Sequence, residues 1–419
     1  MDDDDHQNYI INLRLMKLTG FYQLINPNTS KYYGYSPYKV VATIEIMFGV
    51  FSVSVLILSS YYYLYNTNEL MNHFMLAVAI FFSTFKLFCV SRNSELIWDC
   101  MDMTSVQFLS YTGHRRDALR TARAKSITLS ILFLLLWGSV TVAWCLSPFI
   151  VDGVYLDVEI NGKVRQYRYN SLNYVYPVGE RFYNDHFLAF YAVEMLQVVS
   201  WGHATIAYDT FVISMCIAIQ FQLKTIADSY STLCYGTVSE AYGNKRNIDG
   251  NEFETALSLK LLIHDQQNML KKIRDIFRLF EPVTFVQLAA QSMLIIFQAY
   301  MIFINNYNGL SLVSVPVIKL LLTITPNIIH SFITCYLYGL INEQKESMNF
   351  ALYCSDWTKI NTKYKKMLLL IMRMNNAEKL KLKVSINRIV NLEMFSSIMH
   401  TTYSIISVLA KSYGNTKTK

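Results

Sequence analysis

Long apolar runs alternate with short basic ones along this chain. A helix that crosses a bilayer needs about 20 mostly apolar residues. Six stretches meet that need: Val40 to Tyr63, Met71 to Ser91, Ile127 to Val151, His186 to Ile219, Pro282 to Ile304 and Leu310 to Ile341. A seventh, Leu392 to Lys411, is shorter and more polar, yet it has no charged residue between Met394 and Ala410. The pattern predicts an all-α membrane protein with seven transmembrane helices. It divides the chain into an N-terminal segment (1–39), spans one to four (40–219) with a loop at 152–185, helical extensions (220–281), spans five and six (282–341), amphipathic helices (342–391), a last span (392–411) and a tail (412–419).

The segments between the spans differ in charge. Lys and Arg number about 28 in the N-terminal segment and the connections 2–3, 4–5 and 6–7, against about 7 in the opposite set, which predicts a cytoplasmic N-terminus and an extracellular C-terminus. A G-protein-coupled receptor needs the reverse orientation. The loop 152–185 then lies outside, and its Tyr-rich composition with turn signals at Asp152-Gly153, Asn161-Gly162 and Pro177 suits a lid. On the cytoplasmic side, Leu257, Leu261, Met269 and Ile273 recur at helical spacing, with a polar break at Tyr242 to Gly250. Between Asp356 and Arg373, Trp357, Ile360, Tyr364, Leu368 and Ile371 share one face and Lys359, Lys363 and Lys366 another. These helices predict a cytoplasmic anchor bundle where subunits can meet.

Composition agrees with lipid as solvent. Of the 419 residues 53% are hydrophobic and only 16% charged, with mean hydropathy +0.24, whereas soluble domains carry about 25% charged residues. The net charge of +7 follows from the basic loops, and no basic stripe with interleaved aromatics points to nucleic acid. The acidic start, MDDDDHQNYI, lacks the basic-then-apolar pattern of a cleaved signal. No phosphate-binding, zinc-protease, nucleophile-elbow or dinucleotide motif occurs, so neither an enzyme nor a bound cofactor is expected. No internal repeat favours a transporter, which stays as the distant alternative.

Charges inside the spans single out further residues. Glu194 and Lys319 both fall in the outer third of their helices, where an unpaired charge costs about 3 kcal/mol. They are candidates for an intramembrane ion pair, the alternative being that each reaches the interface separately. Lys86 and Glu45, near inner helix ends, read as interfacial. Histidines 73, 203, 330 and 400 read as structural. On the last helix Ser397, Thr401, Ser404, Val408 and Lys411 form one stripe while Phe395, Ile398, Ile405, Ile406 and Leu409 lie elsewhere. A small hydroxylated stripe suits a water-filled path, and close helix packing is the competing reading.

The C-terminal part carries a family pattern. Cys335-Tyr-Leu-Tyr-Gly339-Leu-Ile341, followed by Glu343, Ser347, Ala351, Tyr353 and Trp357, resembles the end of helix six and the next turn in insect odorant receptors. Leu392-Glu393, Phe395, Ile398, Tyr403-Ser404 and Val408-Leu409 resemble the segment that closes those receptors. Gustatory relatives end in Thr-Tyr, apolar residues and Gln-Phe. Here Thr402-Tyr403 is present and the Gln-Phe is not, which narrows the resemblance away from them; a gustatory-type channel subunit, of the same architecture, stays as the nearer alternative. The shared co-receptor of the family carries a longer insert between helices four and five than this chain has, so the resemblance is to an odorant-tuning subunit.

That resemblance implies a heterotetrameric cation channel, built with co-receptor subunits in the plasma membrane of olfactory neurons and opened directly by a volatile without a G protein. Val408, with Leu409 beside it, then becomes the candidate apolar gate, and Lys411 lies at the outer mouth. It also implies a ligand pocket in the outer half of the membrane between helices two and six. Helix two offers Phe74, Val78, Phe81 and Phe82, and helix three Trp137, Val140, Thr141 and Trp144. Helix four adds Tyr191, Met195 and Val199; helices five and six add Phe297, Tyr300, Val315 and Leu322. An aromatic and Met-rich lining with few polar anchors suits a small apolar terpenoid- or ester-like volatile.

Overall fold

The computed structural model describes residues 6–64, 66–111, 117–151, 153–160, 163–233, 248–307, 309, 311, 314–359, 361–377, 381–385 and 388–417. Two short helices, α1 (Leu13–Leu18) and α2 (Phe21–Ile25), precede α3 (Pro37–Tyr62) and α4 (Thr67–Arg92). Proline at the start of α3 forfeits no intrahelical bond, because an N–H there would have no helical partner, and the Asn66 side chain caps α4 by accepting from the Glu69 amide. After α5 (Ser94–Cys100) come α6 (Asp117–Ile150), the strands β1 (Tyr155–Ile160) and β2 (Lys163–Arg168), α7 (Glu180–Asp185) and α8 (Phe187–Ser231). The chain continues with α9 (Ile248–Tyr307), α10 (Val315–Cys354), α11 (Thr362–Ala377), β3 (Lys383–Ser385), β4 (Arg388–Ile389) and α12 (Leu392–Lys417).

Among the described residues six helices, α3, α4, α6, α8, α9 and α10, are long and apolar enough to cross a membrane. Helix α8 is the central one: 89% of its most apolar stretch is buried, against 22% for α3. It packs on α6 and α10 and touches α3, α4 and α9. Two crossings are close because one partner is glycine. A Cβ at Gly202 of α8 would lie 2.3 Å from Thr141 Oγ1 of α6, and one at Gly49 of α3 would lie 2.1 Å from Thr84 Oγ1 of α4.

The expected helical extensions are present. At about 1.5 Å per residue, α8, α9 and α10 far exceed a hydrocarbon core of about 30 Å. Their overhangs gather at the end of the bundle opposite the β1–β2 hairpin. There Tyr230 Oη donates to Gln266 Oε1 at 2.8 Å, and Gln266 Nε2 donates to Asn375 Oδ1 of α11 at 2.6 Å. The N-terminal segment is tied to the same end by backbone bonds from the Ile10 amide to Thr104 and from the Val106 amide to Asn8.

Several sequence expectations are corrected. The chain is not purely helical: β1 and β2 pair antiparallel from Tyr155 with Arg168 to Ile160 with Lys163, and β3 pairs with β4. Val158 and Tyr167 of the first hairpin bury against Tyr63, Tyr183 and Phe187, a tertiary contact that turn signals alone do not reveal. Pro282, the first residue of the fifth apolar run, sits inside α9, which continues through it from the extension. Burial of Phe280 and Val283 on either side holds the helix through the missing hydrogen bond. Span six starts at Val315 behind Ser314, later than the apolar run suggests. The break at 242–247, residues 161–162, Asp152, Leu310 and Ile360 lie outside the described residues.

Candidate ligand-binding site

Helix α6 buries Ser126, Ser130, Phe133, Trp137, Val140, Trp144 and Ser147, a single stripe at helical spacing. Two of these, Trp137 and Trp144, meet Trp201 of α8 edge to face, with ring centroids 6.1 and 6.2 Å apart. The three indoles wall a narrow cavity with about 30 Å3 free, closed by Met75, Leu76, Ala79 and Phe82 of α4, Gln291, Leu294 and Gln298 of α9, and Thr323, Asn327 and His330 of α10. That space suits on the order of two waters, so a ten-carbon ligand requires the surrounding side chains to rearrange.

Beneath the cavity lies a buried ionic cluster. Lys86 Nζ donates to both carboxylate oxygens of Asp209 at 2.7 Å, and His330 Nε2 is 3.4 Å from Asp209 Oδ1. Lys86 also sits 4.1 Å from the Phe82 ring centre, and Gln287 reaches His330 Nε2 at 2.6 Å and Thr334 Oγ1 at 3.2 Å. Lys86 is thus not interfacial: it is fully buried, because Asp209 on the neighbouring helix supplies the charge that burial demands. A polar seam continues between α9 and α10, where Ser331 donates to Gln291 and Asn327 to Gln298.

Above the cavity the segment between β2 and α7 enters the mouth of the bundle. The Glu194 carboxylate accepts from the backbone amides of Leu172, Asn173 and Tyr174 at 2.6, 3.1 and 3.3 Å. Lys319 Nζ donates to Tyr169 Oη at 2.9 Å and to the Ser171 carbonyl at 3.3 Å, and lies 3.8 Å over the Trp144 ring. His73 Nε2 is 2.9 Å from the Asn173 carbonyl, and the Val175 amide donates to Ser59 Oγ. Asn173 takes the left-handed conformation, φ 56°, which Asn tolerates better than most residues. Burial pushes the Tyr174 and Tyr176 hydroxyls well above their usual range, so both stay neutral. Glu194 and Lys319 therefore do not meet as an ion pair among the described residues. They hold the same loop from two helices, since backbone amides and carbonyls satisfy each charge.

The other expected pocket residues are spread more widely. Phe82, Trp137 and Trp144 line the cavity. Val140 is buried beside it, Val78 packs on the core, and Thr141 fills the space left by Gly202. Tyr191 is half-buried and donates to the Cys145 carbonyl; Met195 and Tyr300 are half-buried. Phe74, Phe81, Val199 and Leu322 are exposed on the outside of the bundle, and Phe297 stacks edge-on against Phe74 at 5.3 Å. The Val315 side chain lies outside the described residues. Sequence reasoning missed Met75, Ala79, Trp201, Gln291, Gln298, Asn327 and His330. The signal was there: Gln287, Gln291 and Gln298 recur at helical spacing in an apolar span, where polar groups need a purpose.

Helix α12 turns Met394, Phe395 and Ile398 toward the core, with Phe395 edge-on to Phe332 at 5.5 Å. Ser397, Thr401, Ser404, Val408 and Lys411 are all exposed in the single chain, with Leu409 half-buried beside them.

Comparison with known proteins gives a consistent answer. The solved structure of the insect olfactory receptor OR5 from Machilis hrabei in complex with eugenol is similar to this fold, with TM-score 0.72 and 13% identity over 96% of this chain and 98% of that one. The structure of the same receptor described without eugenol gives TM-score 0.70 and 13% identity, covering 95% and 97%. No curated protein sequence is significantly similar to the chain. The profile of the family described as 7tm Odorant receptor matches residues 66–403, and the chain therefore belongs to the odorant receptor family.

Proposed function

We propose that the chain is the odorant-binding subunit of a ligand-gated, non-selective cation channel, assembled with the odorant co-receptor as a heterotetramer in the plasma membrane of olfactory sensory neurons. The observation that carries this reading is the cavity of three indoles enclosed by α4, α6, α8, α9 and α10 under a clamped loop, in a chain of this family. A small neutral volatile entering there separates side chains on five helices at once. The similar receptor whose structure was solved in complex with eugenol makes a ligand of that size reasonable. In the assembled channel the N-terminus is cytoplasmic and α12 is the seventh span. Its stripe Ser397, Thr401, Ser404 faces the conduction path, Val408 with Leu409 forms the gate, and Lys411 stands at the outer mouth. The hydroxyl-bearing stripe Ser397, Thr401 and Ser404, exposed in the single chain, supports this.

The test is to express the chain with and without co-receptor and to record currents evoked by a panel of volatiles and a panel of soluble tastants. Current only with the co-receptor and only to volatiles is the expected result. Responses to tastants, or a response abolished by blocking G-protein signalling, would overturn it. Trp144→Ala should weaken the volatile response at least tenfold in potency, from lost contact area of about 2 kcal/mol, whereas Phe81→Ala should not, because Phe81 faces away from the cavity.

A further inference from the structure

The cavity wall carries hydrogen-bond donors that the protein does not use. Trp137 and Trp144 are 5% and 2% exposed, both line the cavity, and neither indole N–H has a partner. An indole N–H can only donate. Leaving it buried without an acceptor forfeits the whole desolvation penalty, and folded proteins keep few such groups. On the same wall Gln291 Oε1 accepts from Ser331 and Gln298 Oε1 from Asn327, and no described wall oxygen accepts from either indole N–H. The Thr323 hydroxyl donates back to its own helix. His330 Nδ1 adds a third unpartnered ring nitrogen on the same wall.

Charge narrows the ligand further. Indole faces attract cations, but the face of Trp144 is occupied by the Lys319 ammonium at 3.8 Å. On the other side Asp209 is engaged by Lys86 and approached by His330. Among the described residues no carboxylate lines the cavity, so an amine would find no counter-charge on its wall, and the ammonium groups of Lys319 and Lys86 stand behind Trp144 and Phe82. A pure hydrocarbon would leave both indole N–H groups buried and unsatisfied.

Building on the cavity as the odorant site, we propose that it selects a neutral carbonyl-bearing volatile. The carbonyl oxygen accepts from the indole N–H of Trp144 or Trp137, and the hydrocarbon body lies against Met75, Leu76, Ala79 and Leu294. Both tryptophans are then specificity-determining residues and not only packing.

Matched probes test this on the purified full-length chain in lipid nanodiscs, with the ligand-dependent rise in Tm as the readout of affinity. Carvone and limonene share a skeleton and differ by the ketone oxygen. 2-Octanone and 2-methyl-1-octene differ only in oxygen against methylene, and carvylamine supplies the cation. In at least one pair the ketone should bind about tenfold or more tightly than its hydrocarbon. Trp144→Phe, Trp137→Phe or their combination should cut that ratio to below about threefold, the hydrocarbon of each pair serving as the reference for any change in cavity shape; the single variants serve if the double variant does not fold. Equal affinity within both pairs, tighter binding of carvylamine, no binding of either ketone, or a ketone preference that survives in the Trp→Phe variants overturns the proposal. Ala79→Phe, which fills the cavity, separates the two levels. If it removes binding while the ketone shows no advantage, the cavity stands as the site and carbonyl selection falls. If binding persists in Ala79→Phe, the cavity is not the site and both fall.

Discussion

At the scale of single residues, Glu194 shows how a charge within an apolar helix is accommodated. An ion pair is the first expectation for a carboxylate there, yet Glu194 is met by three consecutive backbone amides. Amide hydrogen bonds to a charged acceptor contribute about 1.5–3 kcal/mol each, and they add to the burial of Leu172 and Tyr174 and the bonds with Lys319, His73 and Ser59 that hold the same loop. Glu194→Gln should therefore loosen the segment 169–178, with hydrogen exchange at Leu172 to Tyr174 accelerating about tenfold or more. Unchanged protection there would mean that Lys319, His73 and Ser59 suffice. Trp137 and Trp144 were legible as pocket residues because a seven-residue spacing places both on one helix face. Phe81 and Phe82 were not separable, since adjacent aromatics on one span give no sign of which points inward.

At the scale of elements, the sequence displays each helix's apolar length but not the partner of each face. Helix α4 illustrates this: Phe74 and Phe81 face outward while Phe82 and Lys86 face the core. Lys86 near a helix end looked interfacial only because Asp209, 123 positions away, was not known to lie opposite. Removing one member of a buried pair strands the other charge, at a cost of about 3–5 kcal/mol. Lys86→Met should thus lower the Tm of the purified protein and its delivery to the cell surface. Adding Asp209→Asn should restore most of the loss by removing the stranded charge; a single variant as stable as the parent would show that the pair contributes nothing. Thr141 repeats the lesson in smaller form. Its place in the helix-three pocket pattern was plausible, but Gly202 on α8 turns it into a packing contact.

At the scale of the whole molecule, α12 packs on α9 and α10, which also wall the cavity. Under the proposed channel function, a ligand that spreads those walls would shift the surface against which Phe395 rests. In the assembled channel Val408→Ser should raise ligand-independent current, because a hydroxyl wets a constriction that a valine keeps dry; unchanged current and ion selectivity would remove Val408 from the gate. An N-terminal epitope should be undetectable on intact cells, and its detection there would reverse the orientation and with it the outer placement of the lid. The sequence alone determined the six long apolar helices, the charge asymmetry and the family pattern, because lipid demands unbroken apolar length and insertion biases loop charge, both local properties. Only the tertiary structure decided which helix faces meet, that Glu194 and Lys319 hold a loop and not each other, that Lys86 pairs with Asp209, and which indoles enclose the cavity. Those outcomes depend on contacts between separate elements, from 20 positions apart for Tyr174 and Glu194 to 150 for Tyr169 and Lys319, and periodicity within one helix carries no information about them.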